Sequence, residues 1–441
     1  MSVLIRQAKV VDPNSEFHNK VVDISLPLSS DKRQEKLEIK ISEGNISSAI
    51  LLDDEIVWEA SKRSNDTEEG LYISPGFVDV FAEYCEPGFE HKETIASGLK
   101  AAAAGGFTDV LLSPNTNPVL STKSIIQFVA QKAKNNVVNL HPLGAITQNI
   151  EGGSLAEMLD MHANGAVAFT DGWKPVQHAN LMLKALEYAK SFNGVLLQIP
   201  LDASLSLGGL MHEGEISTRL GMEGIPVLAE TILIHRDIEL LRYTNSRLHI
   251  TGVSTEAGVE MIRKAKKEGL NITCSITPYH CALTDEALQT YDSVYKVSPV
   301  LRTEQDRQAL VAGLKDGTID CIATHHRPQD WDAKSKEFEY ASNGMNIQEI
   351  AFNVLLGAVE NTIPLERIID ALAIRPRKIF GLSSLAIGNE STSFTLFSTN
   401  EFTNFTSEKV QSLSGNNPFI GKELKGKVIA IFNQNQFHIN R

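Results

Sequence analysis

Two kinds of hydrophobic pattern share this chain. Near the start, VLIRQAKVVD and LEIKISEG alternate apolar and polar residues, punctuated by Pro, Gly, Asn and Asp. That pattern predicts short, half-buried strands. The polar stretch SSDKRQEK between them suits a hairpin tip or exposed loop. Alternation returns after about Ser384, in SFTLFST and KVIAIFNQNQFHI, with a loop around SLSGNNPFIG. The two ends together predict one small β-sandwich domain, residues 1–72 plus 385–441.

The middle, residues 73–384, is patterned differently. Apolar runs such as PGFVDVFAEY, DVLLSPN, VNLHPLGAIT, AVAFTD, GVLLQIP, RLHITGVS, NITCSITP and CIATHH read as strands. Between them lie stretches with apolar residues at helical spacing and a Gly or Asn stop. Examples are ETIASGLKAAAAGG, HANLMLKALEYAKSF, TEAGVEMIRKAKKEG and TEQDRQALVAGLKDG. Roughly eight strand–helix repeats over about three hundred residues predict an α/β fold, a (β/α)8 TIM barrel. A doubly wound open sheet is the runner-up, but no GxGxxG follows the first strand.

Composition narrows the function classes. The chain has 441 residues, 42% hydrophobic and 22% charged, which is ordinary for a globular protein. Forty-one basic against 54 acidic residues leave a net charge of −13. Such a surface repels nucleic acid and anionic membranes, so neither is expected as a partner. No apolar run approaches the ~20 residues of a membrane helix. The start, MSVLIRQAKVVDP, lacks the apolar core of a signal peptide, so a soluble, cytoplasmic protein is expected. Cys85, Cys274, Cys281 and Cys321 form no CxxC pair, which argues against a disulfide framework or zinc knuckle.

Barrel chemistry sits at the C-terminal ends of the strands. Several segments there and nearby carry a resemblance. PGFVDV, EPGFEHKETIASGLKAAAAGGFT and PNTNPV come first, then GEISTRLGMEGIPVLAE, RLHITGVST and AKKEGLNIT. LTDEAL, KVSPVLRTEQDRQALVAGLKDGTID and NNPFIGKELKGKV follow in the same order. With these the chain resembles the dihydroorotases of the amidohydrolase superfamily, of the type that pairs with aspartate carbamoyltransferase. The resemblance covers nearly the whole length. It implies a metal-dependent barrel, a β appendage from both termini and a place in pyrimidine synthesis.

The departures are as informative. Active relatives carry a metal-binding His-x-His at the end of strand one. Phe81 and Glu83 stand there, and Cys85 replaces the following substrate-clamping arginine. Asp171 matches the bridging carboxylate of strand four. The strand-five histidine falls at Gln198 or Ile199, and the strand-six histidine at Gly252. His325 stands for the strand-eight aspartate, Gln329 for a substrate-contacting histidine and Ser298 for an asparagine. Of the expected substrate contacts, Asn115 survives.

A catalytic zinc needs at least three N, O or S ligands and an open position, and it lowers the pKa of bound water from ~15.7 toward ~7. Phe81, Ile199 and Gly252 offer no lone pair. Losing the arginine at Cys85 also removes a bidentate clamp on a carboxylate. The family's zinc is therefore not expected. Glu83, Asp171 and His325 could at most converge on one residual metal. Asp171 also suits capping of the following helix, and Asn115 suits a turn. Cys85 as a nucleophile has no histidine that the sequence pairs with it. Trp173 and Trp331 read as bulky residues filling a vacated mouth.

Two functions follow. The first is a non-catalytic dihydroorotase homologue, homodimeric, acting as scaffold or regulatory partner of aspartate carbamoyltransferase. The alternative is a cyclic-amide hydrolase, dihydroorotase-like or ureide-directed, with a remodelled mononuclear or metal-free site.

Overall fold

The structure is a computed structural model. It describes residues 2–27, 40–43, 56–59, 70–383, 386–388 and 393–440. The expected hairpin tip in SSDKRQEK and the domain boundary at 384–385 lie outside these residues.

Among the described residues, eight parallel strands follow one another around a barrel, each paired with its sequence neighbour. They are Phe77–Ala82, Phe107–Leu112, Asn139–Gly144, Ala168–Phe169, Leu196–Gln198, Leu248–Thr251, Ile272–Ile276 and Cys321–Ile322. Strands and helices alternate as the pattern expected, because a parallel neighbour can be reached only by a crossover. Closure is made at the rim. His325 N–H donates to Phe81 O at 3.0 Å, and Glu83 N–H to His326 O at 2.9 Å. Strand eight thus delivers His325 and His326 directly beside Phe81 and Glu83.

The barrel's apolar filling includes Val78, Val80, Leu111, Leu143, Ala168, Leu197 and Ala323, all fully buried. A larger cluster packs the outer faces of the strands against the helices. Helix starts follow their side-chain chemistry. Thr94, Thr255 and Thr303 each accept a backbone N–H from the first turn of their helix.

Among the described residues, the two chain ends form one curled eight-stranded sheet. Ser393–Phe405 pairs with Leu71–Pro75 on one side and Lys422–Asn433 on the other. Phe77, Phe352 and Phe397 lock this sheet to the barrel, with ring centroids 5.0–5.9 Å apart. Beyond Phe405 the chain folds back onto the barrel rim. There Asn416 Oδ1 accepts from Gln329 N–H at 3.1 Å, and Ser412 pairs with Glu93.

Candidate functional site: a filled barrel mouth

Strand one runs straight into the mouth. Phe81 is fully buried there and meets Trp173 edge-on at 5.1 Å and His325 at 4.9 Å. Trp173 arrives from the loop after strand four. Gly172, at φ +60°, makes that loop possible, since a Cβ there would overlap Asn115 Oδ1. Asn115 Oδ1 in turn accepts the Trp173 N–H at 3.3 Å, and its Nδ2 donates to Asp171 O at 3.3 Å. Asn115 therefore holds the loop after strand four in place.

The indole is fastened from three sides. Its Nε1–H donates to Glu83 Oε2 at 2.5 Å. The Arg327 guanidinium stacks over the ring at 4.4 Å and also lies 3.4 Å from Glu83 Oε2. Its ring meets His325 at 5.4 Å. Trp173 thus fills the mouth as expected, whereas Trp331 does not: it is 78% exposed on the rim helix. Arg327 was not singled out by sequence, although it directly follows the His325–His326 pair. Trp173→Ala removes the ring contacts and leaves the Glu83 carboxylate with Arg327 and the weak Cys85 thiol donor. We expect a loss of about 2 kcal/mol in urea unfolding, with Trp173→Phe intermediate.

The three candidate metal ligands are engaged elsewhere. Glu83 serves Trp173 and Arg327. Asp171 Oδ1 accepts from Ile146 N–H and Thr147 N–H, each at 2.9 Å, and Oδ2 accepts from Thr147 Oγ1 at 2.5 Å. Its carboxylate therefore ties down the end of strand three, not the following helix. Burial pushes it up to about 6, against the pull of those hydrogen bonds. His325 Nε2 pairs with Thr251 Oγ1 at 2.9 Å. Among the described residues, no group of three or more His, Cys, Asp or Glu side chains could hold a metal ion.

The remaining positions follow suit. Gln198 is buried and exchanges hydrogen bonds with the Val176 backbone at 3.0 and 3.4 Å. Ile199 is 2% exposed and packs in the barrel filling. Gly252 has φ +77°, and a Cβ there would lie 2.5 Å from His325 Cε1. Cys85 is buried at φ +60°, with Sγ 3.8 Å from Glu83 Oε1. Burial, then the Glu83 charge, pushes its thiol far up, which opposes nucleophilic use. Gln329 Oε1 accepts from Lys92 Nζ at 3.0 Å. Of the adjacent histidines, His325 faces the mouth, and His326 turns outward to Glu93 at 3.7 Å.

Three buried histidines are held neutral. Burial lowers His249 to about 3, His280 to about 4 and His325 to about 3. Each ring is pinned by hydroxyls or a carbonyl, His249 by Thr273 and Ser275 at 2.9 and 3.0 Å. A base lowered on folding gives stability that is fully present above the unfolded pKa of about 6.5 and is lost as pH falls toward 3. At pH 5 each such histidine costs about 2 kcal/mol. His249→Gln keeps the hydroxyl contacts and cannot protonate. Its stability, measured in urea between pH 8 and pH 5, is expected to fall by about 2 kcal/mol less than wild type's.

Comparison with known proteins now decides the family. Residues 70–257 match the family model described as dihydro-orotase-like. A dihydroorotase of Syntrophus aciditrophicus is 40% identical over 365 residues, 82% of this chain and 85% of that one. A dihydroorotase of Geobacter metallireducens is 37% identical over 433 residues, 97% of this chain and 96% of that one. The chain belongs to the dihydroorotase family. Its fold also matches L-hydantoinase (dihydropyrimidinase) from Arthrobacter aurescens, with a TM-score of 0.82 at 20% identity over 100% of this chain and 97% of that one. The dihydroorotase resemblance implies zinc at the barrel mouth, and the residues here do not fit it. Phe81, Ile199 and Gly252 carry no donor atom, and Glu83, Asp171 and His325 are bound to other partners.

Proposed function

We propose that this chain is a dihydroorotase homologue of pyrimidine biosynthesis that has given up ring hydrolysis. As a cytoplasmic homodimer it serves as a scaffold or regulatory partner of aspartate carbamoyltransferase. One observation carries this reading: a tryptophan, bonded to the glutamate at one ligand position and packed on the phenylalanine at another, fills the space where substrate and metal would meet. Similarity to curated dihydroorotases nevertheless runs through 97% of the chain. A chain that keeps its scaffold and fills its mouth is suited to work through its surface.

The test is co-expression with the aspartate carbamoyltransferase of the same organism, followed by size exclusion and assay of both activities. Co-elution, a changed carbamoyltransferase rate and no dihydroorotate ring opening are the expected results. Separate elution with ring opening by this chain alone contradicts the reading.

The Asp171 carboxyl, pushed up to about 6, favours a second reading. A base of that kind suits a cyclic-amide hydrolase, dihydroorotase-like or ureide-directed, with a mononuclear or metal-free site. Ring opening of dihydroorotate or hydantoin that disappears in Asp171→Asn decides for it.

A further inference from the structure

A second cavity, of about 420 Å³, lies at the opposite end of the barrel from the mouth. Its walls come from the starting ends of strands five to eight and from the C-terminal barrel helix. In (β/α)8 barrels this end carries no chemistry, so the cavity is independent of the filled mouth.

The lining is cationic in a chain of net charge −13. Arg247, Arg375 and Lys378 all border it. Asp320 is the one carboxylate among the lining residues, and it is already shared between Arg375 at 3.2 Å and Lys266 at 2.5 Å. Arg375 also pairs with Asp370 at 2.8 Å. Among the described residues Arg247 has carbonyl partners only: NH1 donates to Asn193 O at 3.0 Å and NH2 to Ile379 O at 2.7 Å. Burial alone lowers it, with no carboxylate offsetting the cost. Lys378 Nζ and the Asn271 side chain have no hydrogen-bond or ion-pair partner among the described residues. Beside these donors, Leu248 and Ile379 give the cavity an apolar wall.

We infer that this basal cavity binds a small phosphate monoester, its phosphate on Arg247, Lys378 and Asn271 and its organic part against Leu248 and Ile379. A guanidinium fork and an ammonium are the groups that recognise phosphate oxygens. An apolar wall and a few convergent donors in a cavity of this size are typical of small-molecule sites. Binding there leaves the mouth untouched.

The experiment is calorimetric titration of the full chain with inorganic phosphate and with phenyl phosphate, at matched ionic strength in chloride. Thermal melts are recorded in parallel. Saturable binding is expected, tighter for phenyl phosphate than for inorganic phosphate, with a rise in melting temperature beyond that given by chloride. In Lys378→Glu the dissociation constant should weaken about tenfold or more. Its melt in chloride should match wild type, since Lys378 is exposed. Lys378→Ala should weaken binding less, in the same direction. No saturable binding overturns the inference. So does an unchanged dissociation constant in Lys378→Glu, or a melting shift that chloride reproduces.

Discussion

Gly252→His, introduced alone, is expected to cost about 3 kcal/mol or more in urea unfolding. The position is where the dihydroorotase resemblance implies a strand-six histidine, yet two features forbid a side chain there. The backbone sits at φ +77°, which costs an L-residue about 1 kcal/mol. A Cβ would also lie 2.5 Å from His325 Cε1 and 3.2 Å from the Pro299 ring. Overpacking of that kind adds about 2 kcal/mol, because fully buried neighbours have nowhere to go. His325 is one of those neighbours, so shortening it should relieve the clash. The double variant Gly252→His/His325→Asp is expected to lose less than the sum of its two single variants. An additive pair would mean that the two positions do not compete for one space. A metal site therefore cannot be built here one residue at a time. Placing histidines at Phe81 and Glu83 alone leaves Gly252, Ile199 and His325 unchanged, and little zinc binding or turnover should follow.

Arg377→Met should cost more still, about 3–5 kcal/mol, far from the mouth. Arg377 is 4% exposed and ties the last barrel helix to the starting ends of strands one and two. Its NH2 donates to Gly76 O, Thr108 Oγ1 and Asp109 Oδ2 at 2.7–2.9 Å, and its NH1 to Ser383 O at 3.1 Å. Removing one member of a buried pair leaves the other charge uncompensated, and that penalty sets the magnitude. Asp109 retains the neutral donors Thr108 and Asn139 and the ring of His141. Arg377 is the main opposing charge that holds Asp109 well below the usual carboxylate range, against the effect of burial. A carboxyl lowered on folding gives stability that is present above about pH 4 and is lost in acid. The Arg377→Met deficit should therefore be largest at neutral pH and shrink as Asp109 becomes protonated. Arg377→Lys should recover only part of it, because one ammonium cannot replace a fork with four acceptors. A deficit independent of pH would show that packing, not charge, sets the cost.

The fold was readable because barrel strands and helices differ in period. Long runs such as RLHITGVS and TEAGVEMIRKAKKEG leave little ambiguity between the two. The poor fit of the mouth to zinc was readable for a simpler reason. Phe81, Ile199 and Gly252 lack a donor whatever their geometry. What replaced the site was less accessible. Whether Trp173 or Trp331 fills the mouth depends on loop paths: one is carried inward by the Gly172 turn, and the other is left on the rim helix. Asp171 points back to strand three, because Ile146 and Thr147 present free N–H groups there, which no local pattern at residue 171 reveals. Arg327 acquires its role from Trp173 and Glu83, partners more than 150 and 240 positions away. Such pairings exist only once the barrel has closed.

Trp173 fills the barrel mouth and leaves no room there for a metal. Metal content per chain, measured by mass spectrometry on protein purified without chelator or added zinc, tests it most directly. Near-zero zinc or other transition metal is expected, with no dihydroorotate ring opening in the same preparation. About one or more bound metals per chain, lost in Glu83→Ala or His325→Ala, would contradict it.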